Sequence, residues 1–566
     1  MVAPRWGEAQ SRAPFKPTHA ERAMVVSVHE LASHAGMQMI KAKGNAIDAA
    51  VATGFALAVV HPQAGNLGGG GFFLVRTATG QVHFLDFREK APAAATANMY
   101  LDAQGNVIKD LSTVGYQAIA VPGSVKGLIH AQKKWGKLKL QKVMEPAILL
   151  AKVGFLLSYE DAQDFKEKKL ALFPGSKKLF QRNGDFYRPG DTFRQPELAK
   201  TLERIAADPD SFYKGDLARE MVSALRKGGN LLTEQDLANY EVKEREPIRG
   251  TYRGLEVISA PPPSSGGIAL VQMLNILEGY DLEKLGSRSA LSIHLTVEAF
   301  RRAMFDRAEF LGDPDFSKIP VAQLLDKRYS NAWRESINPA RATNSRELQR
   351  PAGIFNELDQ VARLDRARPI PEPEHTTHYS VVDASGNAVS VTTTLNDSFG
   401  SKVTLDSLGF LMNNEMDDFA AKQGVPNAYG LIQGPANAVG ANKRPLSAMT
   451  PTIVLKDGRL FMVLGSPGGP RIITTVANIL MGVVDYGLTI QEAVNAPRFH
   501  HQWLPDSIRM EKVGFSPDTI KLLSDRGHKL DFTTYWSDGE CILLDPKTGE
   551  RLGGSDGRNN GKAVGY

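Results

Sequence analysis

Within the 566-residue chain, the run PEPEHTTHYSVVDASGNAVSVTTTLN (371–396) changes character at a single peptide bond. Up to His375 it is proline-rich and charged, the composition of an exposed, extended segment. From Thr376 it alternates with period two, as a strand does. No turn residue, linker or helix cap separates the halves. The seam constrains the fold, because a strand that begins without a lead-in must be held by partners from elsewhere in the chain.

The nearest partner is readable locally. If Ala384–Gly386 form a three-residue loop, with Gly386 in the left-handed position such loops favour, cross-strand pairs sum to 770 and Thr376 faces Thr394. A two-residue loop would shift the register by one and break that pair. Threonine is common in strands, so the pair taken alone is ordinary. Chemistry adds a second reading. A threonine that becomes a chain N-terminus carries hydroxyl and α-amine on adjacent carbons, so nucleophile and base arrive together. With an α-amino pKa of about 7.7 to 8.0, roughly a quarter of such amines are neutral near pH 7.4, against roughly a thousandth of lysines. The reading requires the His375–Thr376 bond to break: the Thr376 hydroxyl attacks the preceding carbonyl and water opens the resulting ester. The pieces would hold 375 residues and 566 − 375 = 191 residues.

Composition narrows the partners. Lysine and arginine exceed aspartate and glutamate by 67 − 62 = 5, spread thinly, which predicts no nucleic-acid partner and no polybasic membrane surface. The single cysteine, Cys541, excludes an intrachain disulfide and multi-cysteine metal sites. The histidines form no HExxH spacing and His500–His501 are adjacent, so no metal is expected. No apolar run approaches a membrane span, and the first residues lack the apolar core of a signal peptide. Residues 1–20 are expected to be a disordered segment.

Strand pattern at MVVSVHE is followed by helical pattern through ASHAGMQMIKAKG and NAIDAAVATGFALAVV, then a hairpin at GFFLVRTATGQVHFLDF. A long helical region is expected from about 120 to 340, its clearest face formed by Ile293, Val297, Phe300, Met304 and Leu311. LTEQDLANY reads as a helix start capped by Thr233, with Asp236 three residues on. GNLGGGG (65–71) lacks the lysine and hydroxyl of a phosphate loop and precedes a strand, which predicts close backbone packing in place of nucleotide binding. No G-x-S-x-G elbow supports a serine hydrolase.

Three further stretches carry chemistry. VLGSPGGPRIITT runs from strand through Gly468 and Gly469 into an apolar helix; such a turn leaves backbone N–H groups to face a developing negative charge, though a plain tight turn uses the same glycines. Arg88 in DFREKAP is placed to clamp a carboxylate or to make a surface salt bridge. NNEMDDF gathers Glu415, Asp417 and Asp418, which suit a ligand ammonium, a cation or solvent.

PQAGNLGGGGF, DFREKAP, PPPSSGG, TTHYSVVD, LNNEMDDF, NKRPLSAM, GSPGGPRIITT and APRFHHQWLPD, in that order, resemble the bacterial γ-glutamyltranspeptidases, also called glutathione hydrolases. The resemblance runs from about residue 20 to the C-terminus. It implies an N-terminal-nucleophile hydrolase of α/β (α+β) class, a four-layer αββα sandwich. It also implies self-cleavage at His375–Thr376 into a large subunit (21–375) and a small subunit (376–566) that stay together. By the same resemblance Thr376 is the nucleophile with Thr377 beside it, Thr394 tunes it, and Gly468 and Gly469 supply the oxyanion N–H pair. Arg88 and Ser447 would hold the substrate α-carboxylate, Asn396, Glu415 and Asp418 its α-amine, and Tyr429 the tip of a lid. Implied donors are small γ-glutamyl compounds such as glutathione and glutamine. The implied acceptors are water, amino acids and dipeptides, without cofactor, in the periplasm or outside the cell.

The chain departs from the family at Ser447–Ala448, where many relatives have two serines. Ala448 keeps its backbone N–H, so weaker substrate binding is expected, not loss of activity. The family's C-terminal SDPR appears as Ser555–Asp556–Gly557–Arg558. Two alternatives stay open: a cephalosporin or glutaryl acylase of the same family, whose substrate lacks the α-amine, and a secreted binding protein that never matures. Asp418 argues against the acylase, since a buried carboxylate facing an uncharged acyl chain is left unpaired.

Overall fold

The computed structural model describes residues 15–182, 184–355, 375–422, 425, 427, 431 and 433–566. Its organising element is the hairpin of Thr376–Val382 and Ala388–Thr394, paired from Thr376↔Thr394 to Val382↔Ala388. The three-residue loop is closed by Asp383, whose Oδ1 accepts from the N–H groups of Ser385 (2.9 Å) and Asn387 (3.0 Å), and Gly386 takes φ +87°. Both strands are buried along their whole length. Their alternation therefore separates two kinds of interior. Tyr379, Val381, Val389 and Val391 join an apolar cluster with helices, while the opposite face presents Ser380 and Ser390 to a second sheet.

Two seven-stranded antiparallel sheets result. The first runs Lys562–Gly565, Met24–Ser27, Thr376–Val382, Ala388–Thr394, Gly70–Arg76, Val82–Phe87, Lys243–Arg245. The second runs Thr18–Ala20, Arg551–Ser555, Glu540–Leu544, Arg459–Leu464, Thr452–Lys456, Leu255–Ser259, Ile248–Tyr252. Ser380 Oγ donates to Glu540 O (2.7 Å) and Ser390 Oγ to Leu464 O (3.0 Å), which stitches the sheets together. Helices Glu30–Lys41, Ala46–Val60, Ser124–Trp135 and Leu140–Val153 cover the first sheet; Gly266–Leu277, Ala290–Phe310 and Arg471–Val484 cover the second. This is the four-layer αββα sandwich. Both sheets contain strands from before and after the seam.

Two expectations need correction. The stretch from 120 to 340 is not helical throughout: Lys243–Arg245 and Ile248–Tyr252 are edge strands, one in each sheet, and Leu255–Ser259 is the strand next to the second of them. Lys243–Arg245 is wholly charged, and the edge strand Ile248–Tyr252 has an exposed arginine and threonine around a central glycine, which leaves little apolar alternation to read. In the segment 1–20, expected to be disordered, residues 1–14 lie outside the described residues and the last three form a strand. Thr18–Ala20 pair with Gly553–Arg551, a contact that no local pattern announces. The Thr233–Asp236 capping box forms as expected, on a short helix, Glu234–Ala238.

Candidate active site

Thr376 and Thr394 stand opposite each other at the hairpin's open end, their hydroxyl oxygens 3.3 Å apart. Thr394 Oγ1 donates to the carbonyl of His375 (3.1 Å) and accepts from Asn396 N–H (2.8 Å). With its one proton given to His375, Thr394 is left as acceptor for the Thr376 hydroxyl. The carbonyl before Thr376 is thus polarised by the same hydroxyl that orients Thr376. Asn66, which sequence reasoning passed over, holds this end in place: its Nδ2 donates to Thr394 O (2.9 Å) and its Oδ1 accepts from Gly69 N–H (3.0 Å). A Cβ on Gly69 would come within 2.0 Å of Thr394 O, so the glycine run is the close backbone packing expected of it.

Among the described residues no imidazole hydrogen-bonds the Thr376 hydroxyl. Two residues on, His378 bonds Thr392 Oγ1 (2.9 Å) and Ser380 Oγ (3.1 Å), and burial pushes it down to about 3. Burial also pushes His375 down to about 4. The strand Arg459–Leu464 leads into a turn where Gly468 and Gly469 take φ +124° and +56° before the helix Arg471–Val484. A Cβ on Gly468 would sit 2.0 Å from Ser537 Oγ. The N–H groups of both glycines donate to no described residue, while their carbonyls accept from Arg471 and Ile472 N–H (both 3.1 Å).

Gly469 lies on a narrow pocket with Thr376, Thr394 and Asn396; Gly468 lies on a second, wider cleft with Thr376 and His375. The narrow pocket is the charged one. Arg88, 1% exposed, pairs its Nη1 with Glu415 and its Nη2 with Asp418. Its backbone carbonyl is fixed by Arg444 Nη1 (2.8 Å) and Tyr240 OH (2.9 Å). Ser447 and Ala448 also line this pocket. Arg88 is therefore buried and ion-paired with the two acids that the resemblance assigns to a ligand's amine.

Glu89 adds a third carboxyl 3.6 Å from Arg88, and with all three acids ionised neither of its oxygens has a donor among the described residues. Burial raises Glu89 to about 7 against the pull of Arg88, and burial likewise raises Glu415 and Asp418. Burial alone would lower Arg88, but the three carboxyls outweigh it and raise it. One guanidinium cannot hold three ionised acids in this space, so the cluster keeps a proton near neutrality. With Arg88 and its acids drawn together, the cavity is only about 20 Å³, roughly the room of a water or two.

The wider cleft is about 570 Å³ and mixes signs, with Asp161, Asp164, Asp538, Arg509 and Arg558 on its walls. Tyr429 lies outside the described residues. Among the described residues His294, Glu298 and His528 are close enough to share a metal ion. Their donors are already used, His294 by His528 (2.7 Å) and Asn338 O (2.9 Å), and Glu298 by Arg302 (2.6 Å) and by Arg301 (3.3 Å). Two buried guanidinium groups on the one carboxylate oppose a cation there.

Comparison with known proteins agrees with this architecture. The family model described as gamma-glutamyltranspeptidase matches residues 32–566. A glutathione hydrolase proenzyme of Escherichia coli (strain K12) is 49% identical, over 96% of this chain and 92% of that protein. One from Pseudomonas sp. (strain A14) is 48% identical, over 97% and 95%. The crystal structure of cephalosporin acylase from Bacillus halodurans superimposes with a TM-score of 0.84 at 27% identity, covering 100% of this chain and 99% of that one. With the hairpin, the glycine turn and the charged pocket in one αββα sandwich, the chain belongs to the γ-glutamyltranspeptidase family.

Proposed function

We propose that the protein cleaves γ-glutamyl amides such as glutathione after cutting its own chain at His375–Thr376. In self-cleavage, Thr376 Oγ attacks the His375 carbonyl, whose oxygen already accepts from Thr394. The C–N bond breaks as the ester forms. The nitrogen takes the hydroxyl proton and becomes the free α-amine of Thr376, and water then opens the ester, releasing the His375 carboxylate and restoring the Thr376 hydroxyl. Both sheets contain strands from each side of the seam, which supports large and small subunits that stay assembled after the cut.

In turnover the Thr376 α-amine takes the hydroxyl proton as Oγ attacks the γ-carbonyl, and the Gly468 and Gly469 N–H groups bind the oxyanion. The leaving amine collects the proton, the γ-glutamyl group stays as an ester on Thr376, and water or an acceptor amine repeats the sequence. Arg88, Ser447 and the Ala448 N–H bind the α-carboxylate; Asp418, Glu415 and Asn396 bind the α-ammonium. Amino acids and dipeptides are the proposed acceptors, and the periplasm or exterior the proposed location.

The observation that carries this reading is the ion pairing of Arg88 with Glu415 and Asp418. A ligand bearing both an ammonium and a carboxylate exchanges both partners and strands neither. A glutaryl group supplies the carboxylate alone, freeing Asp418 from Arg88 with no cation to replace it. That favours a γ-glutamyl donor over the acylase alternative, despite the likeness to a cephalosporin acylase. Release of aniline from γ-glutamyl and glutaryl anilides tests it: γ-glutamyl turnover at least ten times faster is expected, and the reverse preference would establish an acylase.

A further inference from the structure

The helix Ala290–Phe310 carries arginines at 301, 302 and 307. Two of them have buried carboxylate partners: Arg301 pairs with Glu298 and Asp506, and Arg302 with Glu298. Arg307 has none among the described residues. It is 2% exposed, its Nε donates to Ser265 Oγ (2.8 Å), and its buried Nη1 donates to no described residue. Its side chain lines the narrow pocket with Arg88, Asp418, Ser447 and Ala448. Burial pushes it down to about 10, with only the field of Asp418 opposing. A guanidinium left this way is costly unless something anionic arrives.

Its position is set from the substrate side. Ser265 N–H and Oγ both donate to Ser447 O, at 2.8 Å and 2.6 Å, and the same Oγ receives Arg307 Nε. The Arg307 guanidinium is thereby tied to the Ser447–Met449 wall. Arg88, by contrast, is already neutralised by acids in the empty pocket.

We infer that Arg307 is a second cation for the α-carboxylate of the bound acyl group, a specificity-determining residue that selects donors carrying that carboxylate. Arg88 must leave Glu415 and Asp418 to meet a ligand, whereas Arg307 has an unused donor waiting for one. As the ligand ammonium takes over the acids, its carboxylate lies between two guanidinium groups and each keeps a counter-charge. The missing hydroxyl at Ala448 makes this second donor more important here, since one neutral donor to the carboxylate is absent from the wall.

The inference rests on the γ-glutamyl reading, and the test separates the two. Inhibition by L-glutamate and by 4-aminobutyrate, which lacks only the α-carboxylate, is measured against γ-glutamyl anilide for wild type, Arg307→Gln and Arg307→Lys. In Arg307→Gln the inhibition constant for glutamate rises about 10- to 100-fold, that for 4-aminobutyrate by less than about 3-fold, and the loss in turnover appears in KM more than in kcat. Arg307→Lys recovers part of the glutamate affinity. Equal changes for both inhibitors, or none for either, would overturn the inference. So would failure of both variants to yield the two subunits, since Arg307 would then be a structural residue. Wild-type protein that matures but does not turn over the anilide would instead sink the γ-glutamyl reading.

Discussion

The two spaces that meet at Thr376 are built on opposite terms. One is narrow, about 20 Å³, with buried charges that satisfy one another until a ligand separates them. The other is about 570 Å³, with mixed charges along a wide wall. A site that must recognise one acyl group but release varied amines, and accept water or amines in return, needs that asymmetry. Recognition is concentrated where groups are buried and paired, because there a mismatch leaves a bare charge. On the wide side a mismatch is solvated.

The largest effect falls on the residue the two spaces share. Thr376→Ala should leave a full-length chain with turnover lower by on the order of 10⁴-fold or more, read by gel and anilide assay; normal cleavage of that variant would remove the self-processing step. On the narrow side, Arg88→Gln should lower kcat/KM for γ-glutamyl anilide by about 10²- to 10³-fold, because on the proposed reading it removes one of the two cations for the α-carboxylate and strands Glu415 and Asp418. Asp418→Asn should cut the preference for γ-glutamyl over glutaryl anilide by about 10- to 100-fold, and an unchanged ratio would mean that Asp418 does not meet the ammonium.

Smaller effects sharpen the contrast. The proton that Glu89, pushed up to about 7 by burial, shares with Glu415 is lost as pH rises past neutrality, adding negative charge beside the proposed ammonium site. KM for the donor should therefore fall roughly five-fold between about pH 6 and 8. Asp164 in the wide cleft is also raised to about 7 by burial, so the two sides must be told apart by mutation. Glu89→Gln should flatten the KM profile, whereas Asp164→Asn should leave it intact. The smallest change is Ala448→Ser, expected to lower KM about 3-fold by restoring a hydroxyl to the carboxylate wall.

The sequence made the centre of the molecule more legible than its edges. A period-two pattern with one glycine sufficed to pair Thr376 with Thr394, since slipping by one residue would turn every side chain over. The hairpin Ile248–Tyr252 and Leu255–Ser259 was missed although Arg253 and Gly254, at φ +51° and +79°, mark a tight turn; an exposed edge strand dilutes the apolar alternation. Arg88 was found through its motif, but its pairing with Glu415 and Asp418 joins residues more than 300 positions apart. Asn66 and Arg307 gave no signal, because an asparagine before glycines and an arginine on a helix are each unremarkable until the fold shows what faces them.

The central claim is that Thr376 becomes an N-terminus, and intact mass spectrometry of the incubated wild-type protein tests it most directly. The account predicts two fragments of 375 and 191 residues, the smaller beginning at Thr376. A single uncut chain that nevertheless hydrolyses γ-glutamyl anilide, or a cut at any other bond, would contradict it.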